Sequence, residues 1–455
     1  MLIGLDLGTT TISGVLWDAE RYSVLRAISR RNDSAIPAEV TSRAEQDPRR
    51  IYALALQVVK ELAAGSVPVD GIGLTGQMHG LLCADAANEP LTPLISWQDR
   101  RTSEPLPGGG TPLDEIEGRT ADLAWEENGC RIAHGYGAAT LFWLVRQGAL
   151  PAATRQACTL SGWLAARLAG CPPVIDPGLA ASWGVLHLVD GSWNQAFLER
   201  LSLDGRLLPP VWPSGKPLGG LTAEAARRVG LPAGVPVYNP LGDQPAAFLA
   251  TVSEPDSSVS VNLGTGGQVA WKVAGFEPAT PRAETRPLPG GQLLRVGASL
   301  CGGAAYAWLN RTVRNWLAEF GLEIGEEAAY ERLNELAGSA TGATSLRVRT
   351  TFLGVRGDPV VQAGAIDGIT PDNLELGVLA RATLLGMIDE LLEIYRSHCG
   401  PAAGHRLLVA GGNGVRKNPR LPGLLSERFG LPVRLSPWSE PAAVGAAMVA
   451  GRQGL

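Results

Sequence analysis

No C-x-x-C pair occurs in this 455-residue sequence, and its six cysteines, Cys83, Cys130, Cys158, Cys171, Cys301 and Cys399, are widely scattered. That argues against a zinc knuckle or a disulfide framework and fits thiols kept in a reducing compartment. Positive charge is not in excess either: the formal net charge of −5 argues against general attraction to nucleic acid or anionic membrane. No apolar run approaches the roughly 18 residues that span a bilayer. The sequence enters a strand-like run at Leu2 with no basic and apolar leader before it. The expectation is a cytoplasmic protein with neither a nucleic-acid nor a membrane partner. Also missing are the G-x-x-x-x-G-K-[ST] phosphate loop and the strict βαβ alternation of a dinucleotide-binding fold.

What is present is a repeat. Leu5-Asp6-Leu7-Gly8-Thr9-Thr10 returns in degraded form as Val261-Asn262-Leu263-Gly264-Thr265-Gly266. In each copy a run of β-formers ends in glycine, and the small residues that follow can turn N–H and O–H groups toward phosphate oxygens. The first copy adds a carboxylate, Asp6, where a magnesium ion carrying the nucleotide's phosphates would be organised. Apolar residues make up 45% and charged residues 18% of the chain, so it should bury a large core, and its length asks for two domains.

Three β-rich runs, 2–7, 12–17 and 23–29, predict a meander before any helix. Pro48 then opens an amphipathic helix with Ile51, Leu54, Val58, Val59 and Leu62 on its apolar stripe, and 69–74 reads as a strand. The middle third is irregular and reads as insertions on the first domain. Proline and glycine thicken around 232–240, which sets the expected boundary between domains 1–240 and 241–455. Beyond it, 259–263 and 268–272 predict a second hairpin, 304–320 and 374–395 helices, and 407–410 a buried strand. A final Ala/Gly-rich helix, 441–450, should pack closely on its neighbours.

Several short clusters carry chemistry. Asp243 in Gly242-Asp243-Gln244-Pro245 sits at a strand-to-helix turn, where an aspartate most often caps the helix. Facing a cleft that holds a triphosphate, it would instead accept the proton of an attacking hydroxyl. Gln77-Met78-His79 lies between two glycines, and Trp97-Gln98-Asp99 offers an aromatic face beside polar groups; both suit a polyol, although a lone His is more often structural and W-x-D also fits surface ion pairing. Gly411-Gly412-Asn413-Gly414, with Asn418 beyond, is a natural floor for adenosine and is equally ordinary turn chemistry.

In this order, the motifs resemble the FGGY carbohydrate kinases of the actin, Hsp70 and sugar-kinase superfamily over essentially the whole chain. The resemblance implies an α/β protein of two RNase H-like domains, the actin-like ATPase fold, with an interdomain active-site cleft. It implies ATP and Mg²⁺ as cofactors and a small-molecule sugar as partner, and it leaves a homodimer open. Asp243 matches the catalytic base and Asp6 the metal position. Thr9, Thr10, Thr11, Gly264 and Thr265 match the phosphate motifs, and Gly411, Gly412, Asn413 and Asn418 the adenosine motif. Gln77, Met78, His79, Trp97, Gln98 and Asp99 match the sugar-binding segments. Within the family, Trp97-Gln98-Asp99-Arg100, the run 135–144, Ala180-Ala181-Ser182-Trp183-Gly184 and Ser192-Trp193-Asn194 resemble members acting on a seven-carbon ketose, with the terminal C7 hydroxyl as acceptor. A xylulose or ribulose kinase is the alternative. From another class, a chaperone-like ATPase or a non-catalytic sensor would share the core, but the two sugar-type loops speak against a chaperone.

Overall fold

The computed structural model describes residues 1–65, 68–340, 345–354, 363–400 and 404–451. The predicted meander is present as β1 (Leu2–Leu7), β2 (Thr11–Asp18) and β3 (Ser23–Arg31), paired antiparallel in that order. Helix α1 (Pro48–Ala63) starts where Asp47 accepts a hydrogen bond from the Arg49 N–H at 2.8 Å. The helix then buries Ile51, Leu54, Val58, Val59 and Leu62 against the sheet. Strand β4 (Gly71–Gly76) returns parallel to β1, from Leu2↔Gly71 to Leu7↔Gly76. It begins and ends two residues later than its apolar pattern predicts. Strands β5 (Pro217–Gly220), β6 (Pro236–Tyr238) and β7 (Leu241–Gly242) complete a first sheet of order β5-β6-β4-β1-β2-β3, with β7 beside β4. Helix α2 (Asp243–Thr251) follows at once.

The second sheet repeats the plan. Strands β8 (Ser258–Leu263) and β9 (Gly267–Val273) form the expected hairpin. Next come β10 (Ala283–Leu288) and β11 (Gln292–Ser299), then helices α3 (Gly302–Glu319) and α4 (Leu376–His398), then β12 (Leu407–Gly411) and β13 (Val433–Leu435). The order is β10-β11-β9-β8-β12-β13, and β12 runs parallel to β8 as β4 does to β1. The repeated phosphate-loop sequence thus occupies the same hairpin turn in both sheets.

Inserted between β4 and β5 of the first sheet, the irregular middle third has an apolar centre of its own around Leu81, Phe142, Trp183 and Phe197. The last helix, α5 (Pro441–Gly451), does not stay with the second sheet. Its Ala443, Val444, Ala447 and Met448 pack on Leu2, Val15 and Trp17 of the first. Glycine makes this possible: a Cβ on Gly4 would lie 1.9 Å from the Ala443 carbonyl oxygen, and one on Gly73 2.2 Å from that of Ala446. On its other side, Gly445 lets α5 touch α2, where a Cβ would meet the Ala246 oxygen at 2.0 Å. All six cysteines are free thiols, and no helix among the described residues is long and apolar enough to cross a membrane.

Candidate active site

Three parallel strands end together at one edge of the first sheet. Asp6, Thr75 and Leu241 share one register level, and Leu7, Gly76 and Gly242 the next. The residues just beyond, loop 8–11, loop 77–80 and Asp243, therefore converge at the carboxyl ends of the strands, where open α/β sheets bind ligands.

Asp243 is the first residue of α2, with Gly242 at the cap position, so it does not cap the helix from outside. Its Oδ1 accepts the Gln244 N–H at 2.7 Å. Burial pushes its pKa up to about 6, opposed by that N–H and by the positive charge of Arg286. Asp6 is raised well above the ordinary carboxylate range by burial, and then by the negative charges of Asp243 and Glu440. Its Oδ1 is buried without a hydrogen-bond partner among the described residues. Glu440, just before α5, is itself raised by burial and hydrogen-bonded to Ser13. Among the described residues no group of three or more His, Cys, Asp or Glu is arranged to enclose a metal. A single orphaned carboxylate oxygen among mutually repelling carboxylates nevertheless fits Mg²⁺, which keeps several waters and needs one or two carboxylates plus phosphates.

Loop 8–11 is tied to the sugar-type loops. Asn32 Nδ2 donates to the carbonyls of Gly8 and Thr9 at 3.0 and 3.2 Å, and Gln46 Nε2 to that of Thr9 at 3.0 Å. Thr9 Oγ1 accepts from Trp97 Nε1 at 3.0 Å and donates to Gln77 Oε1 at 3.3 Å, while Thr10 and Thr11 are exposed. Gln77 in turn donates to Gln46 Oε1 at 2.8 Å. His79 adopts φ +71°, a costly backbone region for a non-glycine residue, and its ring stacks on Tyr136 at 4.2 Å. Its Nδ1 lies 2.8 Å from the Ser182 carbonyl. Trp97 is 44% exposed and Gln98 is open to solvent, so both can meet a ligand.

Asp99 departs from its neighbours. Oδ1 accepts from Arg101 N and Nε at 2.9 and 2.7 Å, and Oδ2 from Ala44 N and Arg101 Nη2 at 2.9 and 3.0 Å. It is fully buried, and its oxygens face an ion pair instead of a cleft. Asp99→Asn is therefore expected to cost about 1.5–3 kcal/mol of stability, because it weakens the charged hydrogen bonds to the buried Arg101 and leaves Glu45 to balance that charge. Thermal denaturation of the variant checks this; an unchanged melting temperature contradicts it.

The second sheet assembles its own set. Gly264 and Thr265 follow β8, Gly411 ends β12 with Asn262 paired to it, and Gly412 and Asn413 come next. Gly412 has φ +91°, and a Cβ there would sit 2.4 Å from the Leu263 oxygen. The start of α3 closes the other side, with Gly303 N–H donating to the Gly264 carbonyl at 2.8 Å and Ala304 N–H to that of Thr265 at 2.9 Å. Asn418 is buried; it accepts from Arg420 N–H at 2.9 Å and donates to Asn334 Oδ1, also at 2.9 Å, an oxygen shared with the Tyr306 hydroxyl. The structure adds Glu440, Tyr136, Arg286 and Asn334 to these sites. Tyr136 lies inside the run 135–144, but the other three belong to no sequence pattern.

Residues 1–250 match the N-terminal domain of the FGGY family of carbohydrate kinases, and residues 259–454 match its C-terminal domain. The chain belongs to this family. It is an ATP-dependent carbohydrate kinase acting on a small-molecule sugar, and its two-lobed α/β fold is the actin-like ATPase fold expected from the motifs. The kinase is 29% identical to sedoheptulokinase of Homo sapiens, with 100% of this chain and 98% of that protein covered. It is also 29% identical to glycerol kinase of Thermus brockianus, with 99% and 89% covered. Among solved structures, xylulose kinase from Rhodospirillum rubrum superposes with a TM-score of 0.84 at 26% identity, over 100% of this chain and 90% of that one.

Proposed function

We propose that this kinase transfers the γ-phosphoryl group of ATP to the terminal hydroxyl of a seven-carbon ketose, converting sedoheptulose to sedoheptulose 7-phosphate. The observation that carries the choice is coverage: the likeness to human sedoheptulokinase spans 98% of that protein, against 89% for the glycerol kinase at equal identity. The segments 97–100, 135–144, 180–184 and 192–194 support the same choice.

In this reading Gln77, Met78, His79, Trp97 and Gln98 bind the sugar, and Asp99 braces their segment through Arg101 and Ala44. Asp243 accepts the hydroxyl proton as that oxygen bonds to the γ-phosphorus, and the bond to the β-phosphate oxygen breaks to leave ADP. Thr9, Thr10, Thr11, Gly264 and Thr265 hold phosphate oxygens by hydroxyl and backbone donors. Gly411, Gly412 and Asn413 floor the adenosine, and Asn418 holds Asn334 and the turn after it. Mg²⁺, held by Asp6, supplies charge neutralisation when bound. Most of the rate then comes from alignment and electrostatics, with water kept out when the lobes close on the sugar.

The test is ADP release with a panel of glycerol and five-, six- and seven-carbon sugars, followed by NMR location of the new phosphate. Sedoheptulose is expected to give the highest kcat/KM, with phosphate on C7. A higher value for xylulose, ribulose or glycerol would overturn the substrate. For Asp6→Asn we expect the magnesium concentration at half-maximal rate to rise about tenfold or more; an unchanged magnesium titration contradicts the metal role.

A further inference from the structure

Strand β10 is the outer edge of the second sheet, yet it is fastened to the first half. Thr285 N–H donates to the Gly129 carbonyl at 2.9 Å, and Ala279 N–H, just upstream, to that of Glu126 at 3.0 Å. Side chains alternate along a strand, so Glu284 and Arg286 leave one face and Thr285 the other. Thr285 turns back to its own sheet, where Arg295 Nη1 donates to its hydroxyl at 2.7 Å. Glu284 and Arg286 turn to the first half. Glu284 Oε1 accepts the Tyr136 hydroxyl at 2.8 Å, Glu284 Oε2 pairs with Arg286 Nη2, and Arg286 Nη1 lies 3.1 Å from Met78 Sδ. Tyr136 is the ring stacked on His79. One arm of the second half therefore reaches two adjacent members of loop 77–80, and both its charged side chains are buried.

Docking alone does not account for this chemistry. A buried ion pair seldom adds stability over well-packed apolar residues of similar volume, because both charges lose water. Near a carboxylate that has to accept a proton, a fixed guanidinium has a use: Arg286 touches Met78, whose Sδ would lie 2.6 Å from a Cβ on Gly242, the residue before Asp243, and its charge reaches Asp243. We propose that Glu284 and Arg286 form an acceptor-sensing arm, through which the second half registers the sugar-loaded state of Met78, His79 and Tyr136 and aligns Asp243 for transfer. Arg286 is thus a positioning residue that acts through Met78 and Asp243. This inference rests on the proposed role of Asp243 toward a sugar hydroxyl.

The test uses the full chain with R286M, R286K, Y136F, E284Q and the Y136F/E284Q double variant. Readouts are kcat and KM for sugar and ATP separately, and ATP hydrolysis with and without sugar. R286M is expected to lower kcat/KM for sugar about 10²-fold and to leave the KM for ATP within about twofold. The stimulation of ATP use by sugar should fall about tenfold or more, and R286K should recover part of it. Y136F, which deletes the hydroxyl donor, and E284Q, which removes the charge paired with Arg286, should each act in the same direction, and because both break one Tyr136–Glu284–Arg286 chain the double variant should lose less than the sum of the two. Normal sugar stimulation in R286M, or an equal loss toward sugar and ATP, overturns the arm. If R286M does not fold, Y136F decides: wild-type sugar stimulation in that variant overturns the proposal. A wild-type chain that phosphorylates no sugar on the panel fails at the kinase reading instead, before any variant is compared.

Discussion

An Asp243→Asn protein is expected to fold and to transfer phosphate about 10²- to 10⁴-fold more slowly, the range for removing a positioned general base. In the wild type, kcat/KM for sugar should fall as pH drops through about 6, where Asp243 takes up its proton. The same burial has a cost in stability. The folded-state pKa of about 6 exceeds the ordinary 3.8, so between those pH values the folded chain holds a proton that the unfolded chain releases. This carboxyl therefore favours folding most below pH 3.8, and stability declines as pH rises toward 6. At pH 7 asparagine relieves a penalty of at most about 3 kcal/mol, at 1.36 kcal/mol per pKa unit. The variant should be slower and more heat-resistant than wild type without ligands. Wild-type turnover in Asp243→Asn would falsify the base assignment, and a lower melting temperature would reject the stability argument.

Gly4→Val is expected to damage the fold severely. Its first side-chain atom would fall 1.9 Å from the Ala443 oxygen and 2.9 Å from Ala447 N, both backbone atoms of α5. Neither can swing aside as a flexible side chain would, so α5 has to lift off the first sheet. We expect a loss of about 3 kcal/mol or more, at the upper end of overpacking effects. Because Glu440 precedes α5 and its charge reaches Asp6, activity should fall as well. Gly275→Ala is the control: a Cβ there meets nothing within 4 Å, and the change should stay within about 0.5 kcal/mol. Paired melting curves check both. Equal melting temperatures for Gly4→Val and wild type would dismiss the close contact as a structural requirement.

Much of this was legible in the residues because it is local. The meander, the second hairpin and α1 follow from runs of β-formers, from the Pro48 start and from an apolar stripe. The predicted strand 69–74 is displaced to Gly71–Gly76 because its glycines carry no hydrophobic signal; Gly73 is there to admit α5. The convergence of Asp6, loop 77–80 and Asp243 follows from where three strands stop. What the residues do not encode locally is the direction of a side chain or a distant partner. The W-Q-D triplet reads identically whether its carboxylate faces a ligand or Arg101. Arg286 and Glu440 acquire meaning only when the second half is laid against the first.

The return of α5 to the first sheet also sets the order in which the chain can mature. Strand β1 is made roughly 440 positions before the residues of α5 that cover it, so the first sheet cannot finish packing until α5 has followed. Until then Leu2, Val15 and Trp17 stay open to solvent and to other nascent chains, a window in which a holding chaperone has a defined surface to guard.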